Sequence, residues 1–468
     1  GYLQVGNENI ELIQVSYTGE KQPDDRVQTT LWPDRDQDNI ESSDGEPPRL
    51  FDMAVQLALE LVNGKKAPKP WPAFLPDRFS LESAMVDAKN NTTFTLQSTV
   101  TDWINGETEL LWNADSLEKG QYNSLSAITG LLDDPMEATQ EPLVFDLSRN
   151  HLVVLGDSGM GKTSLLRTIL ISLTAEHSPD ELHVYVLDLG GRNFRSFEEL
   201  PHVGAVVSVT EENFEMRFNR LLDYLSKTIS SRQQIISAAE ASSFSDYNTR
   251  FSEQALPTIV VMIDNFAEMA VQIREENFDT LLENRIIPLV RSALSAGVIF
   301  VVTANIPTNL PNRLYGLFSE RITFKQTDTD RYLDIVGRGA VEIGDIPGRG
   351  YIRRDRKVLL FQTALPLGHF DKDGRLKAVE ADDIRLLSTH MAETLKARGR
   401  KTAPPATLQA LPAEISLSKL LQMAESNKSD KSDKVEAIVG QQVDLSLVQI
   451  DLKKVGQHFM VVGPPLSG

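Results

Sequence analysis

Between Gly156 and Thr163 the chain reads GDSGMGKT, which satisfies the pattern G-x-x-x-x-G-K-[ST] of loops that cradle phosphate. Its surroundings suit that chemistry. NHLVVLG before the loop reads as an apolar strand, and SLLRTILISLTAE after it as an amphipathic helix with Leu165, Ile169 and Leu173 spaced four apart. A helix opening straight after a glycine-rich turn aims its free N–H groups and its dipole at an anion. Gly156, Gly159 and Gly161 permit close backbone approach, and Asp157, Ser158, Met160 and Ser164 belong to the same cradle. Lys162 is expected to reach the β- and γ-phosphates, and the Thr163 hydroxyl to ligate Mg²⁺. ATP and Mg²⁺ are therefore the expected cofactors.

Further strands end in polar residues where such a site needs them. HVYVLD closes on Asp188, PTIVVMIDN on Asp264 and Asn265, and GVIFVVTAN on Asn305. Asp264, about a hundred residues beyond the loop, is the candidate to help Thr163 hold the metal. Runs apolar throughout, rather than alternating, predict a parallel sheet covered on both faces. The fold expected is α/β: a RecA-like P-loop NTPase with a mostly parallel sheet sandwiched by helices, since a strand falls between the loop and Asp264. Ligands in such sheets bind at the carboxyl ends of the strands, where Asp188, Asp264 and Asn305 sit. RecA-like ATPases commonly follow the metal-holding aspartate with a glutamate that deprotonates the attacking water. Here that position is Asn265, and an amide cannot accept the proton at neutral pH. Glu268 is expected on the next helix, pointing elsewhere. The site should bind Mg·ATP and turn it over slowly or not at all.

Length and charge narrow the alternatives. A chain of 468 residues suggests roughly three domains. A net charge of −19 argues against broad nucleic-acid binding. The absence of cysteine removes disulfides and thiolate chemistry. No apolar run approaches the roughly 18 residues of a membrane span. The chain opens on Gly1 without a leader pattern, as an excised fragment would.

An internal repeat supplies the domain map. LPDRFSL at Leu75–Leu81 returns as LPAEISL at Leu411–Leu417, and PLVFDLSRNHLVVLG at Pro142–Gly156 resembles SLVQIDLKKVGQHFMVVG at Ser446–Gly463. GYLQVGNENIELIQVSYTG at the start resembles GYIRRDRKVLLFQTALP at Gly350–Pro366. Residues 1–48 are thus read as the closing hairpin of a preceding unit plus an acidic linker, Asp34–Pro48. Residues 49–368 make a complete unit, and 369–468 begin a further, truncated one. Spacing between repeats places an insertion near Asn90–Ala114, rich in Thr and Asn, expected as a surface hairpin. ESNKSDKSDK at Glu425–Lys434 is expected to be a flexible loop.

Other features have ordinary explanations. Arg353, Arg354, Arg356 and Lys357 suit a solvated edge strand, His202 a structural loop position, and Phe218, Leu221, Leu222 and Leu225 the buried face of a helix over 213–236. Pro288 should kink or divide the helical stretch Leu281–Ala296.

With these strings in place the chain resembles the FtsK/SpoIIIE superfamily, and within it the multi-ATPase EssC/EccC family of type VII secretion. The carriers are GDSGMGKTSLLRTI, VLDLGGRNFRSFEELPHVGAVV, PTIVVMIDNFAEM, VVTANIPTNLPNRLYGLFSERITFKQTD and DIPGRGYI. The resemblance implies that the complete unit corresponds to the second ATPase domain. It implies a homo-hexameric ring at the cytoplasmic face of the membrane, with the membrane anchor in other segments, and export of small WXG-type effectors. It offers Arg321, or alternatively Arg313, as an arginine reaching a neighbouring protomer's γ-phosphate. Asn265 departs from the family pattern and argues against motor activity. The competing readings are a DNA-translocating motor and an effector-binding scaffold without turnover.

Overall fold

The computed structural model describes residues 2–5, 9–12, 50–61, 73–86, 93–97, 99–106, 112, 125–273, 275–370, 376–378, 381–397, 404–408, 414–426, 436–441 and 447–451. The acidic stretch Asp34–Pro48, the low-complexity residues after Ser426 and the closing VGPPLSG lie outside them. The chain divides into two units, residues 1–70 and 71–468. In the first, Tyr2–Val5 pairs antiparallel with Asn9–Leu12 and Leu50–Leu61 is a helix.

The second unit is built on a ten-stranded sheet. Its strands are β1 (Ser126–Asp134), β2 (Thr139–Asp146), β3 (Leu152–Leu155), β4 (Leu182–Asp188) and β5 (Val203–Ser208). They continue with β6 (Thr258–Asp264), β7 (Val298–Ala304), β8 (Glu320–Phe324), β9 (Arg349–Arg354) and β10 (Lys357–Thr363). The spatial order is β2-β1-β10-β9-β8-β3-β7-β6-β4-β5. From β8 to β5 every pairing is parallel, and from β8 to β2 every pairing is antiparallel.

Every residue of β3 to β7 is buried, which explains their unbroken apolar sequences: both faces are covered. Alternation survives in the packing. Leu152, Val184, Val260 and Ile299 join one core with Leu165, Ile169 and Leu173 of helix α1 (Lys162–Glu176). Val153, Tyr185, Ile259 and Phe300 join the other with Phe218, Leu221 and Leu225 of helix α2 (Phe214–Ala238). β7 separates β3, which leads into the glycine loop, from β6, which ends at Asp264. This is the α/β arrangement expected.

Two local expectations need correction. The insertion is not a plain surface hairpin. Ala84–Val86 does pair with Thr93–Thr95, but Thr99–Asn105 is a helix that buries Val100 and Trp103. Trp103 and Trp112, with ring centroids 4.6 Å apart, donate Nε1–H to the carbonyls of Ala175 (3.0 Å) and Thr174 (3.1 Å) at the end of α1. Two indoles outweigh the polar composition around them.

The basic run is not on an edge either, because β9 and β10 have neighbours on both sides. Its charges match cross-strand acids: Arg354 meets Glu320 at 2.6 Å, and Lys357 meets Asp134 at 2.9 Å and Glu137 at 3.1 Å. Pro288 divides its helix through a π-turn. Leu282–Ile286 is π-helical before an α-helix resumes at Ile287–Ala293, since the proline ring offers no N–H to the regular ladder.

Two hairpins share an irregularity. β1–β2 shifts register between Ile128 and Gly130. The hairpin Glu436–Gln441 with Leu447–Asp451 shifts between Ile438 and Gly440. The local sequences are AITG at Ala127–Gly130 and AIVG at Ala437–Gly440. Among the described residues no helix is long and apolar enough to cross a membrane.

Candidate nucleotide site

β3 ends at Leu155 and α1 begins at Lys162; the six residues between them form the loop. Gly156 has φ +151° and Gly161 φ +103°. A Cβ on Gly156 would lie 2.7 Å from Cβ of Phe324, and one on Gly161 2.9 Å from the Gly348 nitrogen. Those two glycines are required by the protein's own packing. Gly159 (φ +78°) differs, because a Cβ there would meet nothing within 4 Å, so it faces open space.

Neighbouring strand ends hold the loop. Gly156 N–H donates to the Asn305 carbonyl (3.1 Å) and Asp157 N–H to that of Lys325 (2.8 Å). Thr327 Oγ1 donates to Asp157 Oδ2 at 2.6 Å, and Gly348 N–H to the Met160 carbonyl at 2.9 Å. Ser158 and Gly159 form the exposed tip, and the Ser164 carbonyl accepts from Thr168 Oγ1 at 3.0 Å.

Lys162 Nζ lies 2.6 Å from the Gly156 carbonyl and 2.9 Å from that of Asp157. Burial lowers its pKa, and the carboxylates of Asp264 and Asp157 raise it. Thr163 Oγ1 donates to Asp264 Oδ2 at 2.8 Å. The residues expected to share a magnesium ion, 101 apart in sequence, are therefore in contact. Thr303, not singled out from sequence, completes the group: its hydroxyl donates to Asp264 Oδ1 at 2.7 Å and accepts from Asn265 N–H at 2.8 Å. The signal was available, since Thr303 is the single polar residue of β7. Asn305 takes part through its carbonyl, which also accepts from Gln326 Nε2 at 3.1 Å.

A sequence profile of the FtsK/SpoIIIE family matches residues 119–309. The chain contains an FtsK/SpoIIIE-family domain. It is 25% identical over 440 residues to the ESX secretion system protein EccC of Geobacillus thermodenitrificans, covering 89% of this chain but 26% of that protein. The chain thus spans about a quarter of that relative's length. Among solved structures, EssC (ATPases 2 and 3) from Geobacillus thermodenitrificans superposes with TM-score 0.60 at 20% identity, over 81% of this chain and 62% of that one. Thermomonospora curvata EccC (ATPases 2 and 3) in complex with a signal sequence peptide gives 0.51 at 24% identity, over 70% and 56%. At these identities the structures speak for the fold.

In this FtsK/SpoIIIE domain the carboxyl end of β4 adds a second acid. Asp188 is paired in register with Asp264 and fully buried. Its Oδ2 accepts from Phe194 N–H at 3.0 Å. Burial pushes its carboxyl up to about 6, helped by the Asp264 carboxylate and opposed by Arg167. A folded-state value above the ordinary 3.8 means that the native protein holds this proton more tightly than the unfolded chain. The associated stability is complete below the unfolded value and disappears as pH rises toward 6. Asp188→Asn should consequently gain on the parent protein by about 2 kcal/mol between pH 4 and 7, measured by urea unfolding in metal-free buffer. A difference independent of pH would refute this.

Asn265 follows Asp264 in the left-handed region, at φ +62°, a conformation that asparagine tolerates. Glu268 lies on the helix Ala267–Gln272, where it accepts from Gln272 Nε2 at 2.9 Å. Arg321 is not brought to the Lys162–Asp264 cluster. It sits opposite Val153 in the sheet, its Nε donates to the Phe318 carbonyl at 2.9 Å, and its guanidinium lies 4.2 Å from the Tyr315 ring centroid. Arg313 pairs with Glu283 at 2.9 Å on the surface. His202 is buried as a neutral ring, held near a pKa of about 3 by burial, with Nε2 2.7 Å from the His177 carbonyl.

Proposed function

We propose that this domain holds Mg·ATP with little or no turnover and serves the assembly or regulation of a type VII secretion ATPase. The observation that carries the binding half is the Thr163–Asp264 contact at 2.8 Å, beneath a loop whose Gly159 faces open space. Lys162 would meet the β- and γ-phosphates, Thr163 and Asp264 the metal, and the backbone N–H groups at the start of α1 the remaining phosphate oxygens. Bound nucleotide supplies a polyanion that joins these elements. Asn265 supports the low-turnover half, because an amide next to Asp264 orients water without removing its proton.

The chain's place in a larger machine belongs to the same proposal. Residues 1–48 close a preceding unit, 49–368 form the nucleotide-binding unit and 369–468 open a further one. The matching register shifts at Ile128/Gly130 and Ile438/Gly440 support this tandem reading. The secretion-system relatives, one of them solved with a signal sequence peptide, support secreted substrates as partners, and small effectors of WXG type are the ones proposed. The proposal extends to a homo-hexameric ring attached to the cytoplasmic face of the membrane through other segments.

Ligand that binds only the folded state stabilises it by mass action, by about 2.7 kcal/mol at a hundred times Kd. Saturating Mg·ATP should raise the melting temperature of the parent protein and leave Lys162→Ala unmoved, with hydrolysis at background in both. Equal shifts in the two proteins would remove the loop from the binding site. Strong DNA-stimulated turnover would favour a translocating motor instead.

A further inference from the structure

The underside of the glycine loop is tied, through a chain of hydrogen bonds, to the segment by which the polypeptide enters the sheet unit. The link at the loop is the contact between Gly348 and the Met160–Gly161 turn. Gly348 N–H donates to the Met160 carbonyl at 2.9 Å. Gly348 has no room for a side chain on its other flank: at φ +85° a Cβ would lie 2.6 Å from Thr363 Oγ1 and 2.7 Å from Gln362 Nε2. Thr363 N–H donates to the Gly348 carbonyl at 2.8 Å, and Gln362 Nε2 to that of Pro347 at 2.9 Å.

The other end of the Gln362 amide continues the chain. Its Oε1 accepts from Arg349 Nε at 2.8 Å. The same guanidinium reaches the entering segment, with NH2 donating to the carbonyls of Leu75 (3.0 Å) and Pro76 (3.1 Å) and to Asp77 Oδ1 (3.2 Å). That segment then lies along the end of β10. Leu365 N–H donates to Phe79 O at 2.8 Å and Leu81 N–H to Leu365 O at 3.1 Å. The arginine fork suits this role, because its planar donors are fixed relative to one another and serve two directions at once.

We propose that Arg349 is a positioning residue for nucleotide binding, acting through Gln362 and the Pro347–Gly348 turn on the glycine loop, so that nucleotide occupancy and the seating of residues 75–81 are coupled. This rests on the reading of the loop as a nucleotide site. Linkage is reciprocal: whatever fixes the Met160–Gly161 turn tightens the entering segment, and loosening that segment weakens the site. A conformational change that nucleotide drives in one unit thereby reaches the point where the preceding chain joins it.

The test uses the whole chain, Mg·ATP as probe, calorimetry for affinity and hydrogen exchange at the Leu81 and Leu365 amides. Arg349→Ala and Gln362→Glu should each weaken Mg·ATP by at least fivefold. Gln362→Glu is the discriminating variant: it keeps an acceptor for Arg349, so residues 75–77 stay attached, but removes the donor to Pro347. Asp77→Ala, which leaves both carbonyl acceptors in place, should bind like the parent. In the parent, Mg·ATP should slow exchange of Leu81 and Leu365 at least fivefold, and in Gln362→Glu it should not. Affinity within twofold of the parent in Gln362→Glu, or exchange at those amides unmoved by Mg·ATP in the parent, overturns the coupling alone. A parent protein that binds no better than Lys162→Ala overturns the nucleotide reading, and the coupling with it.

Discussion

Glutamate in place of Asn265 raises steady-state ATP turnover on the order of 10²-fold, the lower end of what a positioned general base contributes. The position is prepared for it. Asp264, one residue earlier, is fixed by Thr163 and Thr303, and the backbone of residue 265 is anchored by its N–H to the Thr303 hydroxyl. The substitution has an opposing effect, since φ is +62° there and glutamate lacks the asparagine's tolerance of that region, which costs about 1 kcal/mol of stability. That is small against the expected kinetic gain. Lys162→Ala in the same background sets the zero. If turnover stays flat in Asn265→Glu while Mg·ATP affinity is intact, the missing base is not the sole defect. The self-engaged Arg321 then becomes the next position to question.

Trp103→Ala lowers the stability of the sheet unit by about 3–5 kcal/mol, the range for deleting a buried large aromatic. Trp103 is fully buried, packs on Trp112 and donates to Ala175 O, while its own carbonyl meets His390 Nδ1 at 2.8 Å. Truncation opens a cavity and leaves the Ala175 carbonyl without its donor. The midpoint of urea unfolding measures the loss. A change below about 1 kcal/mol, the size expected of surface substitutions, would mean that the insertion is an ornament rather than part of the core.

The parallel half of the sheet was legible because its chemistry is one-dimensional. Apolar runs such as IVVMI and VIFVV announce strands covered on both faces, and Asp188, Asp264 and Asn305 at their ends mark the carboxyl edge. The antiparallel half was harder. Arg354 and Lys357 look like a solvated edge until Glu320, Asp134 and Glu137 are placed opposite them, and that pairing depends on strand order. Trp103 and Trp112 were hidden by a Thr- and Asn-rich context, which described the average of the insertion but not the two side chains that decide where it goes. In the site, the loop, Asp264 and Asn265 were readable from spacing. Thr303 was within reach as a lone hydroxyl in an apolar strand. The Gly348 contact was not, because nothing local in DIPGRG shows that its glycine must lie under a loop some 190 residues earlier.

The kink common to AITG and AIVG bears on ancestry. A regular ladder can arise many times over, since hydrophobic alternation is enough to build one. A fault in the ladder, at the same step of two tetrapeptides that differ at one residue, is more economically inherited than invented twice. On that view the stretch from Glu436 descends from a duplicate of the stretch from Ser126, copied with its defect intact.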